Sequence, residues 1–583
     1  MVKKAQHIYP SAADGKEVIT VIGGGLSGCV SALMLARQGY HVNLIEKNDE
    51  LLTGSSRVAA RLHRGLEYPK DPISAIDCMK SAVMWKLLMP DNITTAPPPM
   101  KAVLSKRSQE LGEIKETNEM LKRANLSSQI RRELTDEEDL DALTLDSYNN
   151  VFEKVRQEYE ELFKRIRSDM GWTKEQTEAD LLGSYEKGRF YRALSEDELR
   201  ECKIPNIVGG FQTQEEGLNI PKYLSMIQKA IEDERDKGNI TLFTGHKVLP
   251  LKEEGGGIRG QFGDFHVRCE KEDGSQVIVH SSQLVQAANS GGPAITPQIG
   301  KAGEHGRAMT VYRRAILEVD LPEGWQHDPF FKLVGSDGCM VAPYNDKVAL
   351  VYTLMHDIPT INKVDLFYDS PDLPDNWEHM PPESKKALTD AFFNYAKRSY
   401  PPLAGATNPR VLIADTINFQ DVVTKRRDKN TREETIAPAM APSMSIRPML
   451  QQRQMIENVT RDPLIELKKG LFTMYATKVT HGPNAAFQAA ALVMQRSKDH
   501  EKEKVELSDP LFELLHIGDL DTKDSLKQFS LKDLAVPDIE YQRAFCKSHD
   551  INEKILIESW PTKDVAKTWQ EGDTGPGGWR RGL

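Results

Sequence analysis

The chain has 583 residues, 28% charged and 39% hydrophobic, with 76 Lys and Arg against 86 Asp and Glu for a formal charge of -10. At ~150 residues per domain this length allows up to about four domains, and the apolar content suffices for large cores, so wholesale disorder and fibrous repeats are excluded. The acidic balance points away from nucleic acid, and no apolar run reaches the ~18 residues of a membrane-spanning helix.

Lys3 and Lys4 have no apolar stretch behind them, so no secretory signal is expected. The six cysteines, Cys29, Cys78, Cys202, Cys269, Cys339 and Cys546, lie far apart and form no CxxC. That spacing predicts neither a disulfide framework nor a zinc site, no metal of any kind, and a reducing cytoplasm as the compartment.

Residues 17–46 read as a β-α-β unit. EVITVI at 17–22 is rich in β-branched residues and suits a buried parallel strand. A glycine cluster follows, then an unbroken helix-forming stretch that Gly39 closes. YHVNLI at 40–45 is the second strand and ends at Glu46.

Residues 104–200 are rich in Glu, Lys and Arg, with helical spacing near 113–124 and again at 149–170, which predicts solvated amphipathic helices. Residues 207–300 return to α/β. They comprise an amphipathic helix opened by Pro221, a bent strand or strand pair at 239–251, and a hairpin followed by a buried strand through residue 289. From 309 to 417, alternating strands predict an antiparallel sheet interrupted by a helix near 383–395. Residues 501–583 read as short helical pieces ending in a Gly-rich, flexible tail.

The glycine cluster Gly23-Gly24-Gly25-Leu26-Ser27-Gly28 is a GxGxxG with glycines at 23, 25 and 28. It follows a strand and opens a helix, the context a dinucleotide requires. Gly23 allows the tight turn, Gly25 lets backbone approach a pyrophosphate, and Gly28 lets helix and strand pack closely. The helix N-terminus offers free N–H groups to the phosphates. Glu46 can accept from both ribose hydroxyls, which disfavours a 2′-phosphate and hence NADP. The motif leaves FAD and NAD both open.

Residues 53–68 read TGSSRVAARLHRGLEY. Through Ser55, Ser56, Arg57, Leu62, His63, Gly65, Leu66 and Tyr68 this stretch resembles a segment of the FAD-dependent glycerol-3-phosphate dehydrogenases. More loosely it resembles the wider D-amino-acid-oxidase-like flavoproteins. Val58, Ala59 and Ala60 replace the Ser, Thr and Lys of that segment. The resemblance recurs in order: the helix after Gly217, Val248 after Thr244-Gly245-His246-Lys247, Ala287-Ala288-Asn289 with Asn in place of a glycine, Ser445-Ile446-Arg447-Pro448, and Lys478-Val479-Thr480 before His481.

The resemblance implies FAD, an oxidoreductase, and a Rossmann-type α/β FAD-binding domain of the second glutathione-reductase type, discontinuous in sequence. Residues 1–95, 205–300 and 440–500 would form that domain, and 301–439 an α+β antiparallel-sheet substrate domain. Residues 96–204 would be a helical insertion bordering the substrate side, and 501–583 a helical C-terminal extension. The implied FAD contacts are Gly23 to Gly28, Glu46, Lys47, Ser55, Ser56, Arg57, Leu62, Val248, Ala287, Ala288, Asn289, Lys478, Val479 and Thr480.

Flavin oxidation needs a proton acceptor and an anchor for the substrate. Arg447, whose guanidinium suits a bidentate oxyanion, is the expected anchor. His63 and His481 are the expected proton acceptors, His63 alternatively a site of covalent flavin attachment. His356 and the alternating pair Arg313-Arg314 are further candidates. The expected substrate is a small anionic hydroxy acid or phosphorylated polyol, with an amine or amino acid, or a non-enzymatic FAD-bound scaffold, as alternatives. Quinone, oxygen or a carrier protein could take the electrons. Peripheral membrane contact stays open, and no nucleic-acid partner is expected.

Overall fold

The computed structural model describes residues 6–8, 15–58, 61–66, 72–95, 100–105, 145–180, 190–204, 207–213, 215–251, 265–295, 307–323, 325, 331–334, 339–345, 347–353, 363–366, 381–427, 434–438, 471–474, 479–499 and 527–556. Arg447, Lys478, His356, the 113–124 stretch and the Gly-rich tail lie outside the described residues. For Ser55, Arg313 and Arg314 the backbone alone is described.

Five strands, β1 (Val18–Ile22), β2 (His41–Ile45), β3 (Ile240–Phe243), β4 (Gln283–Gln286) and β5 (Leu471–Thr473), form a parallel sheet of order β3-β2-β1-β4-β5. Each pairing is parallel, with Val18 opposite His41 and Gln283 opposite Ile19. The order reverses between β1 and β4. A crevice therefore opens at their carboxyl ends, where open α/β sheets bind their ligands.

Among the helices are α1 (Leu26–Arg37), α2 (Pro72–Leu88), α3 (Leu145–Met170), α4 (Ile220–Asp236) and α5 (Gly482–Asp499). Helix α1 packs against α4 and α5. Its residues from Cys29 to Ala36 are all buried, so it reads as apolar all round rather than as a surface stripe. Pro221 opens α4, where its missing N–H is no loss, and the Asn219 side chain accepts from Lys222 N–H as the cap.

A second, ten-stranded sheet joins Glu434–Pro438, Thr407–Arg427, Arg307–Asp320, Val348–Thr353, Cys339–Pro343, Phe331–Val334, Met100–Ser105, Ile207–Thr213 and Tyr191–Ala193 in that order, with Lys363–Leu366 paired to Arg307–Asp320. It is antiparallel except where Phe331–Val334 runs parallel to Met100–Ser105. Three of its strands, at 100–105, 191–193 and 207–213, frame the helical stretch. The stretch assigned to the FAD-binding domain from residue 205 thus meets the parallel sheet only from α4 onward.

Helix α3 departs from a simply solvated helix. Phe152, Val155, Tyr159, Phe163 and Ile166 recur at helical spacing and are 1% exposed or less, in one core with α2 and α1. Burying a Phe or Ile is worth about 1.5–3 kcal/mol, so this face is core and only the opposite face is solvated. The C-terminal piece also docks rather than trailing. Phe529, Leu531, Phe545, Cys546, Ile551 and Ile555 belong to the same core.

Candidate active site

The turn after β1 is built by backbone proximity. Gly23 has φ +107°, and its N–H donates to the Ile45 carbonyl at 2.8 Å. A Cβ there would come 2.7 Å from the Ala287 carbonyl oxygen, and one on Gly28 would overlap the Gly23 carbonyl oxygen. The protein itself therefore demands both glycines. Gly25, the N-cap of α1, differs, because a Cβ added to it would meet nothing within 4 Å. Among the described residues no atom asks for a glycine there; an approaching phosphate would.

The Glu46 carboxylate, 9% exposed, accepts from Gly24 N–H at 2.7 Å and from Asn48 N–H at 3.0 Å. Each oxygen keeps a lone pair for a ribose hydroxyl. The strand His246–Val248 hangs beside it, with His246 N–H donating to the Glu46 carbonyl at 2.9 Å, and Val248 is buried. Lys47 is exposed.

The loop from Leu51 to Val58 runs on from there. Leu52 N–H donates to the Gly24 carbonyl at 2.7 Å. The Tyr223 hydroxyl donates to the Ser56 carbonyl at 3.0 Å, and the Tyr352 hydroxyl to the Val58 carbonyl at 2.8 Å. Burial pushes the Tyr223 phenol well above its ordinary range, so it stays a donor. Opposite lies Asn289 with φ +48°. It stands where the resembling family carries glycine, and Asn tolerates this left-handed conformation. Ser56 Oγ and Asn289 Oδ1 are buried with no hydrogen-bond partner among the described residues. Orphaned polar atoms on either side of the turn fit a cofactor rich in phosphate, hydroxyl and ring heteroatoms.

The two candidate histidines come together. His63 N–H donates to Thr480 Oγ at 2.9 Å, and Thr480 is fully buried. Val479 and Thr480 form the turn into α5, whose first residue, Gly482, lies against Leu26 and Ser27. His481 is 1% exposed, with its Nε2 3.6 Å from Cys78 Sγ of α2. Its ring thus lies against α2 in the core.

His63 sits between buried cations. Arg61, Leu62, His63 and Arg64 are 9%, 0%, 8% and 3% exposed. The Arg61 guanidinium lies 5.3 Å from the Tyr352 ring centroid, and Arg64 Nη2 donates to Tyr159 OH at 3.2 Å. Buried Glu215 accepts from Arg64 N–H at 2.7 Å and Leu66 N–H at 3.1 Å. The sequence reading passed over Arg61, Arg64, Glu215, Tyr223 and Tyr352. Two arginines flanking His63 after the apolar run Val58-Ala59-Ala60 were a usable signal, whereas the tyrosines look like any core aromatic.

Cys29, Cys78, Cys202, Cys269 and Cys546 form no disulfide, and burial pushes the Cys269 thiol up to about 12. Among the described residues no group of three or more His, Cys, Asp or Glu could hold a metal, and no helix is long and apolar enough to cross a membrane.

A family model described as FAD dependent oxidoreductase (DAO) matches residues 19–413. The chain belongs to this family. This DAO-family oxidoreductase is 35% identical over 66 residues to the FAD-dependent monooxygenase kojA of Aspergillus flavus, 11% of this chain and 15% of that protein. The chain thus spans about 15% of the length of the curated relatives it matches. Among solved structures, it is similar to the L-alpha-glycerophosphate oxidase of Mycoplasma pneumoniae at 14% identity, covering 82% of this chain and 95% of that one with a TM-score of 0.43. It is similar to the glycine oxidase of Geobacillus kaustophilus at 11% identity, 85% and 97% coverage and a TM-score of 0.43. The DAO-family member takes FAD as its cofactor, and the turn at Gly23 to Gly28, Glu46, Ser56 and Asn289 are the residues fitted to hold it.

Proposed function

We propose that this FAD-dependent oxidoreductase oxidises a small anionic substrate, a hydroxy acid or phosphorylated polyol. The observation that carries the reading is the burial of Arg61 and Arg64 on either side of His63. Two buried guanidinium groups against the one buried carboxylate described beside them, Glu215, favour an anion over a cation there. FAD, when bound, supplies the acceptor for the hydride that leaves the substrate carbon. His63 takes the hydroxyl proton as that carbon becomes a carbonyl. Arg447 holds the carboxylate or phosphate in a bidentate grip, as its place in the resembling Arg-Pro box suggests. Quinone, oxygen or a carrier protein reoxidises the cofactor, and a cytoplasmic setting suits the cysteines without disulfides among the described residues.

Anaerobic stopped-flow reduction with a panel of hydroxy acids, phosphorylated polyols and amino acids tests the reading. Hydroxy acids or phosphorylated polyols should reduce the flavin. Arg447→Lys should slow reduction by roughly 10–150-fold, the loss of one charge-assisted hydrogen bond. His63→Ala should slow it by ~10²–10⁴-fold, as expected for a general base. Wild-type reduction by Arg447→Lys would make that arginine structural. Reduction by amines alone, with His63→Ala nearly silent, would replace the reading with an amine or amino-acid oxidase.

A further inference from the structure

The family match ends at residue 413, yet the segment from 527 to 556 reaches back to the first βαβ unit. Gln38 Nε2 donates to the Gln528 backbone carbonyl and Gln528 Nε2 to Gln38 Oε1, Arg37 pairs with Asp533 at 2.6 Å, and Leu531 N–H donates to the Leu88 carbonyl at the end of α2. Helix α6 (Ile539–Ser548) follows, with the Tyr541 hydroxyl donating to Glu232 of α4 at 2.9 Å. The segment then crosses to the ten-stranded sheet, where Arg410 pairs with Asp550 at 2.7 Å and Lys554 pairs with Asp320.

At the crossing point stands His549, 1% exposed and stacked on Phe545 at 3.8 Å. Its Nε2 lies 2.9 Å from the Leu51 carbonyl oxygen. A carbonyl can only accept, so this contact is a hydrogen bond whenever Nε2 carries a hydrogen. Nδ1 lies 2.8 Å from the Ser548 hydroxyl, 3.0 Å from the Phe545 carbonyl oxygen and 3.5 Å from the Glu50 carboxylate. The His549 backbone carbonyl in turn accepts from Arg57 Nη1 at 2.8 Å. His549 therefore grips both ends of the loop that carries Ser56 and Arg57, once through its ring and once through its backbone.

We infer that residues 527–556 are a clasp that completes the FAD cradle, with His549 as a positioning residue for the loop from Leu51 to Val58. Within the loop, Arg57 N–H holds the Gly54 carbonyl at 3.2 Å. The carbonyls of Ser56, Val58 and Leu51 are met from outside by Tyr223, Tyr352 and His549, and His549 alone of the three lies outside the family match. By reciprocity, a clasp that favours FAD binding is itself held more firmly when FAD is bound. The inference depends on FAD binding and not on which substrate is oxidised.

The test reconstitutes apoprotein with FAD and follows flavin fluorescence, beside the melting temperature of the apoprotein. His549→Ala should raise the FAD dissociation constant by about 10-fold, the loss of roughly one buried hydrogen bond. His549→Gln, which can still donate to Leu51, should recover most of that affinity. Lys554→Ala lies on the same clasp but away from the loop and should leave FAD affinity within about 2-fold, whatever it does to the melting temperature. Equal FAD affinity in His549→Ala and the wild type would overturn the inference. So would Lys554→Ala weakening FAD as much as His549→Ala, because the effect would then be general destabilisation. In the unmutated protein, amide exchange across α6 should slow when FAD is added, and unchanged exchange would count against the clasp even if His549→Ala does not fold.

Discussion

Two stretches of chain shape the cofactor side, and they are made in different ways. The turn from Gly23 to Gly28 is set mainly by the strands on either side of β1. Its partners are chiefly Ile45, Glu46 and the Ala287 to Ala288 strand end, with one bond from Leu52 N–H to the Gly24 carbonyl. The loop from Leu51 to Val58 is held from α4, the ten-stranded sheet and the C-terminal clasp. A turn whose geometry follows from missing side chains can be written into a few consecutive residues. A loop with several backbone carbonyls to satisfy needs donors from elsewhere.

The largest effect that would sharpen this contrast lies within the turn. Gly28→Ala should destabilise the apoprotein by at least about 3 kcal/mol, because its Cβ would run into backbone that cannot move aside. Gly25→Val should change apoprotein stability by no more than about 1 kcal/mol yet leave protein without stoichiometric flavin. Denaturant unfolding of both apoproteins, with flavin content by absorbance, checks the pair. Equal destabilisation would break the distinction between a glycine the protein needs and one the ligand needs.

A smaller effect is expected in the loop. Tyr223→Phe and Tyr352→Phe should each cost ~1–1.5 kcal/mol, because each strips the donor from a carbonyl of the loop. Each should also weaken FAD binding, measured by titration of the apoprotein. Loss of stability with unchanged FAD affinity would mean that the loop does not depend on its distant donors.

The smallest effect is at Asn289. Asn289→Gly should leave apoprotein stability nearly unchanged, since glycine accepts φ +48° freely, whereas Asn289→Ala should cost ~1 kcal/mol of backbone strain. Both should weaken FAD by a few-fold if the Oδ1 atom meets the cofactor. An unchanged affinity in Asn289→Gly would assign that atom to no ligand.

The same contrast explains what could be read in advance. The β-α-β unit, the strand at 246–248 with the hairpin at 265–281, and Glu46 are legible because their partners lie within short stretches or follow a known motif. Phe331–Val334 beside Met100–Ser105 is not legible, because pairing across more than two hundred residues leaves no local trace. Helix α3 showed its amphipathic spacing but not which wall it would cover. His549 looks like any polar residue at a helix end until Leu51 is beside it.

The clasp also sets an order of events during synthesis. Leu51 and His549 are 498 residues apart. A ribosome adding about 5–20 residues each second takes roughly 25–100 seconds to cover that distance. Once Ala287 and Ala288 have been made, the glycine turn can exist with its neighbouring strands while the loop beside it still lacks a partner for the Leu51 carbonyl. On the clasp inference, FAD loading to full affinity waits until His549 has been made.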